Sequence, residues 1–241
     1  MFTLDNLDNE SFELFSHNVK SGIPFAVTGL VTLLRLFLVD KTHKITKKKV
    51  LFVTSSEQNA LKYQNDLMKA YGAPSQILPF QNISMYETVI SNKYDYSDQI
   101  KVLLEKPDIV IAPVKVLLEK FPTKEFIEKN SIHLKLGDEI NQKEFAQKLV
   151  TLGYKRSTMV SDITEFSIRG DIIDVFSLDK KPVRIELWGD EIVDLRYFDN
   201  ETQKSIEKIK EVTILPAYKF IAEDNKGLSE EEGYFEGIEV Y

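Results

Sequence analysis

The sequence predicts an α/β protein in two parts, a parallel-sheet domain followed by a mostly antiparallel α+β one. Over roughly the first 115 residues, continuous apolar strands alternate with helical segments, the pattern of a parallel sheet covered on both faces. From Tyr154 to Leu215 the pattern becomes apolar–polar alternation, as in an antiparallel sheet with one wet face. The composition supports packed cores: 43% of the 241 residues are apolar, which excludes wholesale disorder. That length suits one large domain or two modest ones.

Taken in order, Phe25–Thr28 reads as a short strand ending at Gly29, and Val31 to about Lys41 as a helix apolar nearly all round. Val50–Thr54 is a second, fully apolar strand. Ser55 and Gln58 form a capping-box pattern that opens a helix through Leu61, Leu67 and Met68, stopping near Gly72. Ile77–Pro79 is a third strand, Ser97 caps a helix carrying Ile100, Leu103 and Leu104, and Asp108–Ala112 is a fourth strand. The pattern changes near residue 120. Pro122 suits the first turn of a short helix, Ile132–Leu136 is a strand closed by Gly137, and Asn141 caps a helix to about Leu152 with Gly153 as its stop.

Composition also excludes chemistry. With no cysteine there is no disulfide framework, thiolate zinc site or catalytic thiol. The first fifteen residues are acidic without a basic n-region, so no secretory signal is expected. The most apolar stretch, Ile23–Val39, is short and broken by Pro24, Thr28 and Arg35, which argues against a membrane span. A cytoplasmic protein is the expectation. The net charge of −7 is uneven: residues 211–241 carry −6 of it, while the first 120 carry +1. The basic run Lys41, Lys44, Lys47, Lys48 and Lys49 has no interleaved aromatics and reads as a solvated loop.

The turn after Phe25–Thr28 is where an α/β nucleotide-binding protein carries its phosphate loop. That chemistry needs glycines for backbone N–H groups to wrap phosphates, a Lys for the terminal phosphates and a Ser or Thr for magnesium. The chain reads Thr28-Gly29-Leu30-Val31-Thr32-Leu33, with no Gly-Lys-Ser/Thr. We read it as a degenerate phosphate loop (Thr28, Gly29, Thr32) that binds no nucleotide cofactor. His17, His43 and His133 show no metal-ligand spacing, so no metal site is expected. Asp171 and Asp174, three apart on a strand, point to opposite faces and read as solvated. Tyr86, Tyr94 and Tyr96 could stack bases, but loop packing is the better reading. No catalytic residue is assigned.

The most informative stretch is Pro182-Val-Arg-Ile-Glu-Leu-Trp-Gly-Asp-Glu-Ile-Val-Asp-Leu-Arg-Tyr197. Alternation sends Val183, Ile185 and Leu187 to one face, and Arg184, Glu186 and Trp188 to the other. A two-residue Gly-Asp turn would mix the faces, so the pattern predicts a three-residue loop, Gly189–Glu191, pairing Leu187 with Val193 and Ile185 with Leu195. Four of the five arginines, Arg156, Arg169, Arg184 and Arg196, fall within 41 positions. Arg and Trp are enriched at binding hot spots, so Trp188 beside Arg184, with Arg169 before Gly170, predicts a partner-binding patch.

Phe166-Ser-Ile-Arg-Gly-Asp-Ile-Ile-Asp-Val-Phe176 followed by Pro182-Val-Arg-Ile-Glu-Leu-Trp-Gly-Asp-Glu-Ile192 resembles the damage-recognition helicase UvrB. Leu195-Arg-Tyr-Phe-Asp-Asn-Glu-Thr-Gln-Lys-Ser205 and Ile214-Leu-Pro-Ala217 are closer still to the N-terminal UvrB-like module of bacterial transcription-repair coupling factors. The degenerate phosphate loop, and an Asn82–Asp98 region too short for UvrB's Tyr-rich DNA hairpin, favour the second group. The resemblance implies a helicase-like domain (1–120), an inserted UvrA-interaction domain (121–208), and a truncated return to the first domain (209–241). It implies docking of UvrA on Arg169, Arg184 and Trp188, the last standing where Phe is usual. It further implies a fragment of a longer protein, whose other parts bind RNA polymerase and double-stranded DNA and use ATP and magnesium for translocation. Two rivals stand beside this non-catalytic adaptor: an ATP-using UvrB-like helicase, and a direct DNA-binding module working through Lys41–Lys49 and Tyr94/Tyr96.

Overall fold

A computed structural model describes residues 9–80 and 93–217. They belong to two units: residues up to 81 with 98–120, and 82–97 with 121 onwards. The architecture is mixed α/β with three separate sheets.

In the first unit, helices α1 (Asn9–Ser21), α2 (Thr32–Thr46) and α3 (Glu57–Tyr71) accompany strands β1 (Val50–Thr54), β2 (Gln76–Ile77) and β3 (Ile109–Pro113). The strands form a parallel sheet in the order β1-β3-β2. β3 is buried along its whole length, as a central parallel strand must be when both faces are covered. Its Ile109 and Ile111 pack with Leu36 of α2, Ala60 and Leu67 of α3, and Ala73. Gly72 ends α3 at φ +61°, a left-handed cap that a β-carbon would strain. Helix α4 (Lys93–Glu105) and a 3₁₀ turn, Val114–Leu118, follow β2 and β3 respectively.

Four local expectations differ from what forms here. Phe25–Thr28 is not a strand; Pro24 lacks an N–H for a ladder, and no described strand pairs with this exposed stretch. The cap of α3 is Ser56, whose Oγ accepts the Asn59 N–H at 3.2 Å, while Ser55 takes the Asn59 side-chain amide. Ser97 lies inside α4, where its hydroxyl donates to the Leu178 carbonyl instead of capping. The basic run is only partly a loop: Lys41 and Lys44 lie on α2, whose C-terminal end favours cations, and Lys44 pairs with buried Asp40 at 2.6 Å.

The second unit contains α5 (Lys124–Asn130), β4 (Ile132–Lys135), α6 (Gln142–Thr151), β5 (Lys155–Arg156), β6 (Glu165–Arg169), β7 (Ile172–Phe176), β8 (Pro182–Trp188), β9 (Glu191–Phe198), β10 (Ser205–Lys208) and β11 (Glu211–Ile214). Strands β5 to β10 make one six-stranded sheet in sequential order, antiparallel except for the β5–β6 pair. Sequential hairpins explain this order, since neighbours in the chain pair locally. β11 returns to pair antiparallel with β4. Its Val212 and Ile214 are buried within this unit. Asn141 caps α6 by accepting from the backbone of Lys143 and Glu144.

The β8–β9 hairpin resolves the register conflict differently from the expected odd loop. Trp188 pairs with Glu191 across a two-residue Gly189-Asp190 turn, with Gly189 at φ +64°. Leu187 pairs with Ile192 and Ile185 with Leu195, because a bulge absorbs Val193. Ile192 is buried and Val193 exposed. The apolar face is therefore kept continuous by a bulge, not by loop length.

Candidate functional site

The polar face of the six-stranded sheet carries the candidate residues. Register places Ser167, Asp174, Arg184 and Arg196 in one row across β6 to β9, and Arg169, Ile172, Glu186 and Asp194 in the next. Trp188 stands one step further towards the hairpin tip. Arg169, Arg184 and Trp188 thus share a face, as alternation predicts, but their surroundings differ.

Arg184 is not displayed. Its side chain is 12% exposed and grips Asp174, with Nε to Oδ1 at 2.6 Å and Nη2 to Oδ2 at 2.9 Å. Nη1 and Nη2 also donate to the backbone and side-chain oxygens of Gln203, each at 3.2 Å. The guanidinium lies over the Phe198 ring, 4.6 Å from its centroid. Gln203 in turn donates to the Val160 carbonyl at 3.1 Å, so two loops close over this end of the face.

Asp174 is the residue that sequence reasoning misplaced. Far from being solvated, its side chain is fully buried, and it takes a further bond from Arg169 Nη2 at 2.7 Å. A buried carboxylate must be paired and hydrogen-bonded to be tolerated, and two arginines meet that need. The signal was present: Asp174 sits between Ile173 and Val175 in an apolar run, and antiparallel pairing sets it directly beside Arg184.

Arg169 and Trp188 make the open end. Arg169 is 47% exposed, with Nη2 as its one engaged group among the described residues. Its turn is braced by Gln142 of α6, which donates to the Gly170 carbonyl at 3.0 Å. Trp188 is 80% exposed. Exposing an indole of this size gives up hydrophobic burial, which makes it a feature to explain. Between the two ends, Arg196 binds Glu186 at 3.0 Å and Asp194. Lys208 binds Asp194 at 2.7 Å and, ahead of Arg196, holds its carboxyl below the usual carboxylate range.

Other candidates are placed as follows. Thr28 and Gly29 are exposed and Thr32 opens α2; the one arginine nearby, Arg35, donates Nε to the Leu30 carbonyl at 3.0 Å. Arg156 is exposed on the edge strand β5. Tyr94 donates to Asp162 at 2.5 Å and Tyr96 is buried, whereas Tyr86 lies outside the described residues. His43 lies 3.6 Å from Asp108, and His133 bonds Thr213. Among the described residues no group of three potential ligands could hold a metal ion, and no helix is long and apolar enough to cross a membrane.

Residues 132–220, which hold this sheet, match the family model of the UvrB interaction domain. The chain is also similar to transcription-repair-coupling factors. It is 34% identical over 200 residues to the one from Staphylococcus aureus (strain bovine RF122 / ET3-1), covering 81% of this chain and 17% of that protein. With the factor from Staphylococcus haemolyticus (strain JCSC1435) it shares 33% over 205 residues, 83% of this chain and 18% of that one. The chain therefore spans about a sixth of the length of the curated relatives it matches.

Proposed function

We propose that this chain is the N-terminal, UvrA-recruiting module of a transcription-repair coupling factor, a non-catalytic adaptor in transcription-coupled nucleotide excision repair. UvrA docks on the open end of the sheet face. RNA polymerase, double-stranded DNA and ATP-driven translocation belong to other parts of the parent protein, in the cytoplasm. The observation that carries this is Trp188, 80% exposed on the same sheet face as a half-exposed arginine, within the stretch that matches the UvrB interaction domain. An exposed aromatic anchor and an arginine on one face have the composition of a hot spot. The non-catalytic reading is supported by Thr28–Leu33, which lacks the lysine and hydroxyl a nucleotide needs, and where Arg35 is turned onto a backbone carbonyl.

Calorimetric titration with purified UvrA tests it. Trp188→Ala is expected to cost about 2 kcal/mol or more of binding, some thirtyfold in affinity. Unchanged affinity in both Trp188→Ala and Arg169→Ala would sink the assignment. A parallel titration with Mg-ATP is expected to give no saturable heat; saturable binding would favour the helicase reading instead.

A further inference from the structure

We infer that Asp174 is the positioning residue of this surface: it holds Arg169 in place for the partner, and Arg184 acts through Asp174, not by touching the partner. The inference rests on the UvrA-docking reading above. It follows from where the donors go. A guanidinium has five N–H donors in a fixed fork. Arg184 uses Nε, Nη1 and both hydrogens of Nη2 on Asp174 and Gln203, and is 12% exposed. One donor is left for any newcomer. Among the described residues Arg169 uses a single Nη2 contact and is 47% exposed, so four donors are open to a partner there.

Among the described residues, every side-chain hydrogen bond that Asp174 accepts comes from these two arginines. Ser167, directly across the ladder, leaves its buried hydroxyl without a partner among the described residues and adds nothing to the carboxylate. Asp174 is thus shared between an arginine locked inside the sheet and one that reaches outward. Arginine carries large rotamer entropy when free. Fixing one end of Arg169 to an immobile carboxylate removes much of that cost before the partner arrives, which is preorganisation. Arg184, clamped over Phe198, keeps the carboxylate itself immobile.

UvrA affinity is measured for the wild-type chain, Asp174→Asn, Arg169→Ala, Trp188→Ala, and Asp174→Asn combined with each of the other two. The asparagine keeps the shape but removes the charge. Asp174→Asn is expected to weaken binding about tenfold or more. Adding Arg169→Ala to it is expected to cost almost nothing further, because Arg169 has already lost its anchor; adding Trp188→Ala is expected to multiply the losses. A residue that only stabilised the fold would weaken both backgrounds alike. Wild-type affinity for Asp174→Asn, or a full additional loss on adding Arg169→Ala, overturns the inference.

If Asp174→Asn does not fold, the neutral pair Asp174→Asn/Arg184→Gln takes its place, since replacing both partners of a buried pair is far better tolerated than removing one. It is expected to bind as weakly as Arg169→Ala, and wild-type affinity overturns the inference. Should neither Trp188→Ala nor Arg169→Ala weaken binding, the docking reading itself fails and takes this inference with it. Should both weaken it while Asp174→Asn does not, only the positioning role fails.

Discussion

At one end of the polar sheet face, Arg184 is clamped between Asp174, Gln203 and the ring of Phe198. Four residues further along the same strand and on the same face, Trp188 stands clear of the protein. By residue type both are hot-spot candidates, and by alternation both belong to the wet face. The difference is what lies across the ladder. Arg184 has a carboxylate on β7 beside it and two loops above it. Trp188 has Glu191 across a tight turn, and beyond Glu191 the described residues place only its single bridge to Glu139. Arginine and tryptophan on one strand thus divide into a structural end and a free end. Stability and binding should separate along the same line.

Breaking the structural end gives the largest expected effect. Arg184→Ala leaves Asp174, fully buried, with Arg169 as its one remaining side-chain partner among the described residues. Breaking a buried pair by removing one member costs about 3–5 kcal/mol. Trp188→Ala removes no buried contact and is expected to stay within about 0.5 kcal/mol of wild type. Urea denaturation of the two variants measures both. Equal stabilities would mean that the two ends of the face do not differ in this way. A large loss for Trp188→Ala would make the indole part of the core.

A smaller effect comes from α6, which braces the free end through Gln142 and Gly170. Asn141→Ala removes the side-chain oxygen that caps two backbone N–H groups, at a cost of about 1 kcal/mol. Denaturant midpoints check the size. No change would mean that water replaces the cap without loss.

Much of this arrangement was legible in the sequence, for physical reasons that also mark where legibility stopped. Val183, Ile185 and Leu187 alternate cleanly with Arg184, Glu186 and Trp188, and a half-buried sheet permits no other assignment of faces. Asn141 and Gly72 were readable because caps depend on the residue at one position. The β8–β9 turn was not, because an extra residue can be taken up by the loop or by a bulge, and alternation alone does not choose between them. Asp174 was misread because spacing along a strand says which way a side chain points. What holds Arg184 over it there is Gln203, itself bonded to Val160, loop residues with no periodic signature. Phe25–Thr28 has strand composition, but a strand needs a neighbour, and neighbours are a property of the whole sheet.

The smallest expected effect tests whether the row between the two ends is ionic or merely packed. Lys208 and then Arg196 hold the carboxyl of Asp194 below its ordinary range, against some opposing burial. In the unfolded chain the ordinary value returns, so around that value the unfolded state binds more protons than the folded one. Stability from this group is therefore complete above the ordinary carboxylate range and is lost as pH falls through it towards the depressed folded value. Asp194→Asn should be less stable than wild type at neutral pH, and the gap should close as the solution is acidified. Lys208 is mostly exposed, which limits the whole effect to below about 1 kcal/mol. Salt separates the two partners: at about 0.5 M ionic strength the Lys208 share should be screened, while that of the largely buried Arg196 persists. A gap that ignores both pH and salt would mean that Asp194 fills space in this row and that its charge contributes nothing.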